Sequence, residues 1–277
     1  MHTTATEITT PARQSSHPTS PAARFWEIDA LRGVAIVMMV VYHLMYDLYY
    51  FRVTDTIFTN PFWFYFQRTT ATLFVGLVGV SLALRSARAQ PRLAYAVLFK
   101  RGLSILAWGL VISVITRFAL GPDLYIRFGV LHFIGVAILL AYPFLRRCWL
   151  NLILGVGLIT LGVWLQQFTF GPPWSSYLFW LGLEPPNHTY VDFFPFLRWF
   201  GVVLLGIFVG NLLYGQAAST GGCPLGAKFA LPDRSRAWLV RVLAQMGRRS
   251  LPIYLLHQPI LFALFLAFFW LRSGARF

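Results

Sequence analysis

Apolar segments long enough to cross a lipid bilayer recur from residue 33 to the end of this 277-residue sequence. We place helices at residues 33–51, 62–84, 102–119, 128–145, 148–170, 198–214 and 250–271. Each approaches the roughly 17–25 residues that a helix needs to span about 30 Å of hydrocarbon. Charged residues are only 12% of the sequence, about half their share in soluble domains. The sequence therefore predicts an all-α polytopic membrane bundle of about seven transmembrane helices.

The first 23 residues differ from the rest of the chain in composition. They are rich in Thr, Ser, Pro and Ala, which is typical of a disordered tail. They lack the apolar core of a secretory signal peptide, so we expect a tail at 1–23 followed by one membrane domain at 24–277. The two cysteines, Cys148 and Cys223, have no zinc-binding spacing, and we expect both to be unpaired thiols.

Basic residues are distributed unevenly between the two sides of this topology. Sixteen Lys and Arg residues fall on the side of the N-terminus and six on the other side. By the positive-inside rule this bias predicts a cytoplasmic N-terminus and an external C-terminus. Topology also accounts for the net charge of +14, so we expect no nucleic-acid partner. The external connection at 171–197 is aromatic and free of Lys and Arg, which favours a segment packed over the outer mouth or resting among lipid headgroups.

Ionisable residues fall inside the predicted spans, where each costs about 2.5–3.5 kcal/mol to insert. His43 and Asp47 stand four residues apart in the first span and therefore share a helix face. A carboxylate one turn from an imidazole can accept its N–H, fix its tautomer and stabilise its cation. Counting about 1.5 Å per residue puts Arg68 at the depth of Asp47, which predicts a buried Asp47–Arg68 pair. Such a pair could also lock two helices without any chemical role.

Two further histidines extend this polar set. His132 lies in the fourth predicted span, and His257 is followed by Gln258 in the seventh. We interpret these three residues as candidate substrate-binding groups of a polar column through the bundle. Each histidine could instead hydrogen-bond one helix to another. A metal site at His43 and Asp47 is disfavoured, because no recognised ligand spacing accompanies them.

Four segments, taken in order, resemble the catalytic-domain family of heparan-alpha-glucosaminide N-acetyltransferase, including its short bacterial members of unknown substrate. They are RFWEIDALRGVAIVMMVVYHLMYDLYYF (24–51), GVLHFIGVAILL (129–140), DFFPFLRWFGVVLLGIFVG (192–210) and GRRSLPIYLLHQPIL (247–261). Together they span nearly the whole chain after the tail. The first segment and the closing YLLHQP also resemble the wider membrane acyltransferase superfamily that O-acylates cell-surface sugars.

The resemblance implies acetyl transfer across a membrane, from cytoplasmic acetyl-CoA to a glucosamine-type sugar on the other side. It also implies a catalytic histidine near the first helix, for which His43 is the matching candidate. On this interpretation Asp47 orients His43, and Arg68 holds either Asp47 or an anionic group of the donor. The phosphates of acetyl-CoA would be attracted by five basic residues between the second and third spans, although positive-inside anchoring also explains them: Arg85, Arg88, Arg92, Lys100 and Arg101.

Two other classes of protein stay open beside the enzyme. A small proton-coupled transporter could use the same polar column, and it predicts solute flux without acetyl-CoA. A structural membrane subunit is disfavoured by the mid-membrane His43 and Asp47. The expected partners of the enzyme are the lipid bilayer, acetyl-CoA and a sugar acceptor, with a homodimer left open. The sequence does not choose between N- and O-transfer, or between direct transfer and an acetyl-histidine intermediate.

Overall fold

The computed structural model describes residues 25–88, 91–186, 190–214 and 236–272, without the side chains of residues 87–94. This part of the chain is helical and contains no β-strand, so the predicted all-α class is confirmed. The tail predicted at 1–23 lies outside the described residues. Ten α-helices follow one another along the described chain: α1 (Trp26–Tyr50), α2 (Thr56–Thr59), α3 (Pro61–Arg88), α4 (Pro91–Leu120), α5 (Val130–Ala141), α6 (Cys148–Leu165), α7 (Trp174–Leu178), α8 (Phe196–Tyr214), α9 (Trp238–Arg248) and α10 (Ser250–Arg272).

Six of these helices, namely α1, α3, α4, α6, α8 and α10, are long and apolar enough to cross a membrane. The protein is therefore an integral, multi-pass membrane protein. The remaining predicted span, the fourth (128–145), corresponds to α5, which has 12 residues and a rise of only about 18 Å. A 3₁₀ turn at Tyr142–Phe144 extends it. We call the end of the bundle where α1 begins the N-terminal end, and the opposite end, which carries residues 171–186 and 190–195, the loop end.

The start of α5 lies inside the bundle rather than at its surface. A Cβ atom added to Gly109 of α4 would meet the backbone nitrogen of His132 at 3.0 Å, and the hydroxyl of Ser113 lies 3.1 Å from Nε2 of His132. Helix α4 continues to Leu120, seven residues beyond Ser113 and so about 10 Å closer to the loop end. The N-terminus of α5 therefore sits at an intermediate depth, surrounded by protein.

The core lies between α3, α5 and α8. Val75, Phe133, Ala137, Val203 and Ile207 have no exposed surface at all. Two glycine contacts allow α3 and α8 to pack backbone to backbone, because a Cβ at Gly79 would collide with the carbonyl oxygen of Val203 and one at Gly206 with that of Gly76. This close packing leaves α1, α4 and α10 around the core, where they can enclose a site.

The amphipathic helix α9 lies in a connection for which the apolar pattern predicts no helix, and it packs against α1 at the N-terminal end. A Cβ at Gly33 would collide with the backbone of Leu243, and one at Gly247 with the carbonyl oxygen of Asp29. Helix α10 then rises along α1, where Phe51 stacks on Phe265 at 5.2 Å between ring centroids. None of the residues of α10 is buried, so α10 lies at the periphery and meets the bundle mainly through α1.

The connection between α6 and α8 packs over the loop end. Trp180 contacts Phe128 and Phe196 with ring centroids 5.9 and 5.8 Å apart. The backbone N–H of Phe194 donates to the carbonyl of Phe128 at 3.2 Å. Because Trp180 and Phe194 also pack against the core, the described part of this segment covers the loop end of the bundle, which agrees with the first of the two interpretations of residues 171–197.

Two expectations from the sequence need correction. Helices α1 and α4 begin at Trp26 and Pro91, earlier than the predicted 33 and 102. The first turn of α1 contains Glu27 and Asp29, and Lys100 and Arg101 interrupt the apolar run of α4 without ending the helix. Cys148 is disulfide-bonded, so the expectation of an unpaired thiol is wrong for this residue. The other cysteine of the sequence, Cys223, lies outside the described residues.

Candidate active site

Two histidines from different helices meet within the membrane-spanning part of the bundle. The ring of His43 on α1 lies edge-on to the ring of His257 on α10, with 4.7 Å between centroids and 76° between planes. The sequence suggested that both belonged to one polar column, but it could not show that they face each other. The structure places them in direct contact.

The hydrogen bonds of this pair fix the chemistry of each ring. Nδ1 of His43 lies 2.9 Å from the carbonyl oxygen of Met39, and Nδ1 of His257 lies 2.7 Å from that of Tyr254. A carbonyl oxygen only accepts, so each Nδ1 must carry the proton, and in a neutral ring Nε2 then keeps its lone pair. Nε2 of His257 is buried without a partner. Both rings therefore have the tautomer that a general base requires at Nε2.

Asp47 is almost fully enclosed, with 1% of its surface exposed. Its Oδ1 accepts a 2.7 Å hydrogen bond from the side-chain amide of Gln258, while Oδ2 and the Gln258 Oε1 have no partner. This hydrogen bond joins α1 to α10 beside the histidine pair. Asp47 lies one turn beyond His43 on α1, and Gln258 directly follows His257 on α10. This contact explains why a carboxylate and an amide are both placed at this depth.

Two predicted contacts of Asp47 do not form. The acceptor of the His43 N–H is the Met39 carbonyl rather than the Asp47 carboxylate. The expected pair with Arg68 is also wrong, since Asp29–Arg32 is the one ion pair among the described residues. Equal depth does not determine which way a side chain faces around its helix: Asp47 turns toward α10, and Arg68 lies over Phe64 at 5.3 Å from the ring centroid.

His132 serves the packing of α5 against α4. Its Nδ1 accepts the backbone N–H of Gly129 at 3.3 Å, and its Nε2 lies 3.1 Å from the Ser113 hydroxyl, which in turn donates to the Ile126 carbonyl. With both ring nitrogens engaged by the protein, the structure favours the helix-connecting interpretation of His132 over a substrate-binding one.

A cavity lies between α1, α3, α4, α5 and α10. Its volume is small, about 70 Å³, and it is partly open. Three arginines from three helices line it: Arg32, Arg85 and Arg101. The rest of the wall is mainly apolar, with Phe74, Ile105, Leu131 and Ile134 among its residues. The cavity therefore combines a basic region with an apolar interior inside the bundle.

The residues that line the cavity show which of the five predicted phosphate-binding residues could contact a ligand there. Arg85 and Arg101 line it, whereas Lys100 does not, and the side chains of Arg88 and Arg92 lie outside the described part of the chain. Arg32 also lines the cavity and is a further functional candidate. From the sequence alone, it contributes only to the Lys and Arg bias that predicts the topology. Its guanidinium donates to Asp29 at 3.0 Å and to the Ser81 hydroxyl at 2.6 Å, which holds it at the cavity wall.

Periodicity on two helices connects the cavity to the histidine pair. Ser250 and Tyr254 of α10 line the cavity, and His257 follows at the next position of the same face, since residues i, i+4 and i+7 align. The rings of Tyr254 and His257 are 5.7 Å apart. On α1, Arg32 and His43 are eleven residues apart, which is close to three full turns and about 16 Å of rise. The cavity and the His43–His257 pair are therefore aligned along α1 and α10.

A carboxylate that we had not singled out holds the buried start of α5. Oδ2 of Asp192, in the connection before α8, accepts the backbone N–H of Val130 at 3.1 Å. A Cβ at Gly129 would collide with this same oxygen. Burial raises the pKa of Asp192 to about 6, although the Val130 hydrogen bond acts in the opposite direction. Asp192 is the first residue of DFFPFLRWFGVVLLGIFVG (192–210), one of the four segments that resemble the family. This resemblance is the feature of the sequence that could have identified Asp192.

A known protein family matches most of the chain. The catalytic-domain model of heparan-alpha-glucosaminide N-acetyltransferase matches residues 24–259. No curated protein and no solved structure matches the chain. The matched region contains the three cavity arginines, Tyr254 and the His43–His257 pair. The chain belongs to the heparan-alpha-glucosaminide N-acetyltransferase catalytic-domain family.

Proposed function

We propose that this protein transfers an acetyl group from acetyl-CoA, bound at the N-terminal end, to a sugar acceptor that enters from the loop end. The family supports acetyl transfer in general. The observation that carries the finer proposal is that one cavity holds three arginines and ends one helix turn from a facing pair of histidines. A phosphate-rich donor needs such cations, and the acceptor that attacks the donor's acetyl group needs a nearby base to take its proton.

The residues that line the cavity are chemically suited to the two parts of acetyl-CoA. Arginine is the side chain best suited to phosphate, because its planar guanidinium donates two parallel hydrogen bonds. The apolar wall formed by Phe74, Ile105 and Leu131 suits an uncharged pantetheine arm. We propose that Arg32, Arg85 and Arg101 hold the phosphates and that the arm extends along α1 toward His43, about 16 Å away.

The proposed chemistry uses Nε2 of His43. This nitrogen takes the proton of the acceptor's hydroxyl or amine as the acceptor atom attacks the thioester carbonyl carbon. The carbon–sulfur bond then breaks, and the departing thiolate takes the proton from the imidazolium, so that acetylated acceptor and free CoA thiol result. In the alternative route Nε2 of His43 attacks the thioester carbonyl carbon, the carbon–sulfur bond breaks and CoA leaves as the thiolate. The acceptor then attacks the acetyl group on His43, the acetyl–nitrogen bond breaks, and the acceptor's proton goes to the CoA thiolate.

The sidedness of the reaction is part of the proposal. The excess of Lys and Arg at the N-terminal end favours a cytoplasmic location for this end, where acetyl-CoA would enter, in a bacterial inner membrane. The disulfide at Cys148, at the start of α6 on the same end, is an argument in the other direction, because disulfides persist mainly in oxidising compartments. Direct labelling of the two ends decides between them.

The test is acetyl transfer by the purified full chain. Protein in mild detergent is incubated with acetyl-CoA carrying a labelled acetyl group and with a panel of amino sugars and neutral sugars. Labelled sugar supports the proposal, and its bond type separates N- from O-transfer. A second arm measures sugar uptake into vesicles containing the protein. Uptake without acetyl-CoA, together with no labelled product from any acceptor, would contradict the enzyme and favour the transporter.

A further inference from the structure

Helix α9 has three different faces around its axis. Successive residues of an α-helix are rotated by about 100°, so the 11 residues of α9 point in all directions around it. Ala244 and Gly247 are buried and mark the face that packs on α1. The other two faces are exposed to the surroundings of the bundle, and their chemistry indicates what those surroundings are.

One exposed face is apolar. Leu239 and Val242 are 54% and 45% exposed, and the rotation of about 100° per residue puts them at neighbouring positions on the helix surface. Trp238, which is 71% exposed, lies beside Val242 at the border with the third face. Tryptophan is typical of such a border at a membrane–water interface, where its ring meets the acyl chains and its N–H meets the headgroups. The apolar face is therefore suited to contact with lipid.

The third face is basic. Arg241 and Arg248 are seven residues apart and therefore align, with Gln245 beside them, and all three residues are exposed. Nε of Arg248 donates to the carbonyl of Ala244 in its own helix at 3.2 Å. Neither arginine forms an ion pair with another described residue, and no Asp or Glu follows Asp233 in the sequence. The charge of this face is therefore complementary to an anion.

The carboxylates on the neighbouring part of α1 have other partners. Asp29 forms its ion pair with Arg32 at 3.0 Å. Glu27 accepts a 3.0 Å hydrogen bond from the hydroxyl of Tyr214. Both carboxylates are thus engaged by groups other than the arginines of α9.

The contact with α1 also places α9 at the edge of the bilayer. It involves Asp29 and Gly33 of α1. Gly33 is the first residue of the apolar run of α1, whereas the turn before it carries Asp29 and Arg32. The boundary between hydrocarbon and headgroups therefore passes along α9, where the apolar face can contact acyl chains and the long arginine side chains can extend toward the headgroups.

We propose that the two exposed faces of α9 bind an anionic phospholipid. Arg241 and Arg248 bind its phosphate, and Leu239 and Val242 contact its acyl chains. A guanidinium donates parallel hydrogen bonds to phosphate oxygens, and each basic residue near an anionic membrane surface strengthens binding about fivefold. None of these residues lines the cavity, so the lipid site is separate from the proposed donor site and does not depend on acetyl transfer.

The test measures which lipid lies against α9. Leu239→Cys in the purified full-length protein carries a fluorophore, and the protein is placed in phosphatidylcholine nanodiscs at low ionic strength. Part of the lipid is replaced by spin-labelled phosphatidylglycerol or, as the reference, by spin-labelled phosphatidylcholine, and each quenches the fluorophore on contact. We expect phosphatidylglycerol to reach half-maximal quenching at a mole fraction at least about tenfold lower. The protein without an added cysteine, treated in the same way, gives the background.

Variants of the basic face show whether its arginines cause this preference. Arg241→Gln and Arg248→Gln should each reduce it about fivefold. Arg146→Gln, which changes another exposed arginine at the N-terminal end, should keep it. Arg241→Lys preserves the charge and should retain most of the preference even if Arg241→Gln folds poorly. Equal quenching by the two lipids with intact arginines, or equal losses in the Arg146 and Arg241 variants, would overturn the inference.

A second measurement tests the direction of each face and the other possible occupants. A fluorophore at Val242→Cys should be quenched by spin-labelled lipid, and one at Gln245→Cys by iodide in the water. The reverse pattern would overturn the inference. So would displacement of phosphatidylglycerol by inorganic phosphate at constant ionic strength, because the ligand would then be a free anion. Quenching between the fluorophores of two copies, independent of lipid composition, would also overturn it, because a second copy of the chain would then cover α9.

Discussion

The side-chain amide of Gln258 donates a 2.7 Å hydrogen bond to Oδ1 of Asp47, and this contact joins the peripheral helix α10 to α1. It lies one residue from His257 on α10 and one turn from His43 on α1. Phe51 of α1 also stacks on Phe265 of α10 at 5.2 Å between ring centroids. The Asp47–Gln258 bond and this aromatic contact together fix the register in which the two histidines meet.

The Asp47–Gln258 hydrogen bond predicts which pairs of substitutions have non-additive effects on the free energy of unfolding. Asp47→Ala and Gln258→Ala should each destabilise the folded protein by about 1–3 kcal/mol, because each leaves a buried polar partner unsatisfied. The double variant should lose less than the sum of the two. Asp47 and Arg68 do not touch, so the losses in unfolding free energy caused by substituting each of them should add within about 0.5 kcal/mol. Thermal unfolding of all variants in one detergent measures these differences; strong coupling of Asp47 to Arg68 would restore the original ion-pair prediction.

The cavity arginines should govern donor binding. Arg32→Gln, Arg85→Gln and Arg101→Gln should each raise the KM for acetyl-CoA roughly tenfold to a hundredfold, which corresponds to losing about 1.5–3 kcal/mol of charged hydrogen bonding. Steady-state kinetics with saturating acceptor measures the effect. Lys100→Gln is the matched control, because this exposed residue neighbours Arg101 but does not line the cavity. A Lys100 variant as impaired as the Arg101 variant would indicate general attraction by the basic loop instead.

Asp192 should make stability depend on pH. Its folded-state pKa of about 6 lies above its ordinary value of 3.8, so folding favours the protonated carboxyl. Its stabilising contribution is present below pH 4 and is lost as the pH rises through 6. Asp192→Asn keeps an oxygen for the Val130 N–H and removes the charge. Its Tm should therefore exceed that of the wild type at pH 8, and the difference should close or reverse toward pH 4. A constant difference across this range would show that Asp192 does not titrate there.

Topology can be tested by cysteine labelling in sealed, oriented vesicles. Tyr177→Cys places a thiol on an exposed side chain at the loop end, and Trp238→Cys does the same at the N-terminal end. With the N-terminal end inside, an impermeant reagent added outside should modify position 177 at once and position 238 only after permeabilisation. The protein without an added cysteine provides the blank. The reverse pattern would contradict the arginine bias and agree with an oxidising environment for Cys148.

The sequence predicted those parts of the fold that depend on the bilayer. Apolar runs located all six long spans, because a helix in lipid must bury its backbone and expose apolar side chains. It missed α9, whose arginines interrupt the apolar pattern, and it extended α5 to the length of a full span. Length cannot show that the start of α5 is buried beside Ser113, since that depth comes from the packing of α5 against α4.

For the site, the sequence identified the residue types and depths but not their directions. His43, His257 and Gln258 were found because polar groups inside a membrane are costly and therefore informative. The rotation of α1 that turns Asp47 toward α10 instead of α3 comes from tertiary packing. Arg32 was missed because a basic residue at a span boundary already has an explanation in topology, and only the cavity shows its second role.

The most direct test of the account is the rate of acetyl transfer by His43→Gln, measured with labelled acetyl-CoA and normalised to folded protein. Glutamine can still hydrogen-bond within α1, but it cannot accept a proton, and positioned general bases contribute about 10²–10⁴-fold. His132→Gln is the matched control, since that histidine connects helices. We predict a loss of about 10²-fold or more for His43→Gln with little change in the KM for acetyl-CoA. Retention of more than about a third of wild-type activity would contradict base or nucleophile chemistry at His43.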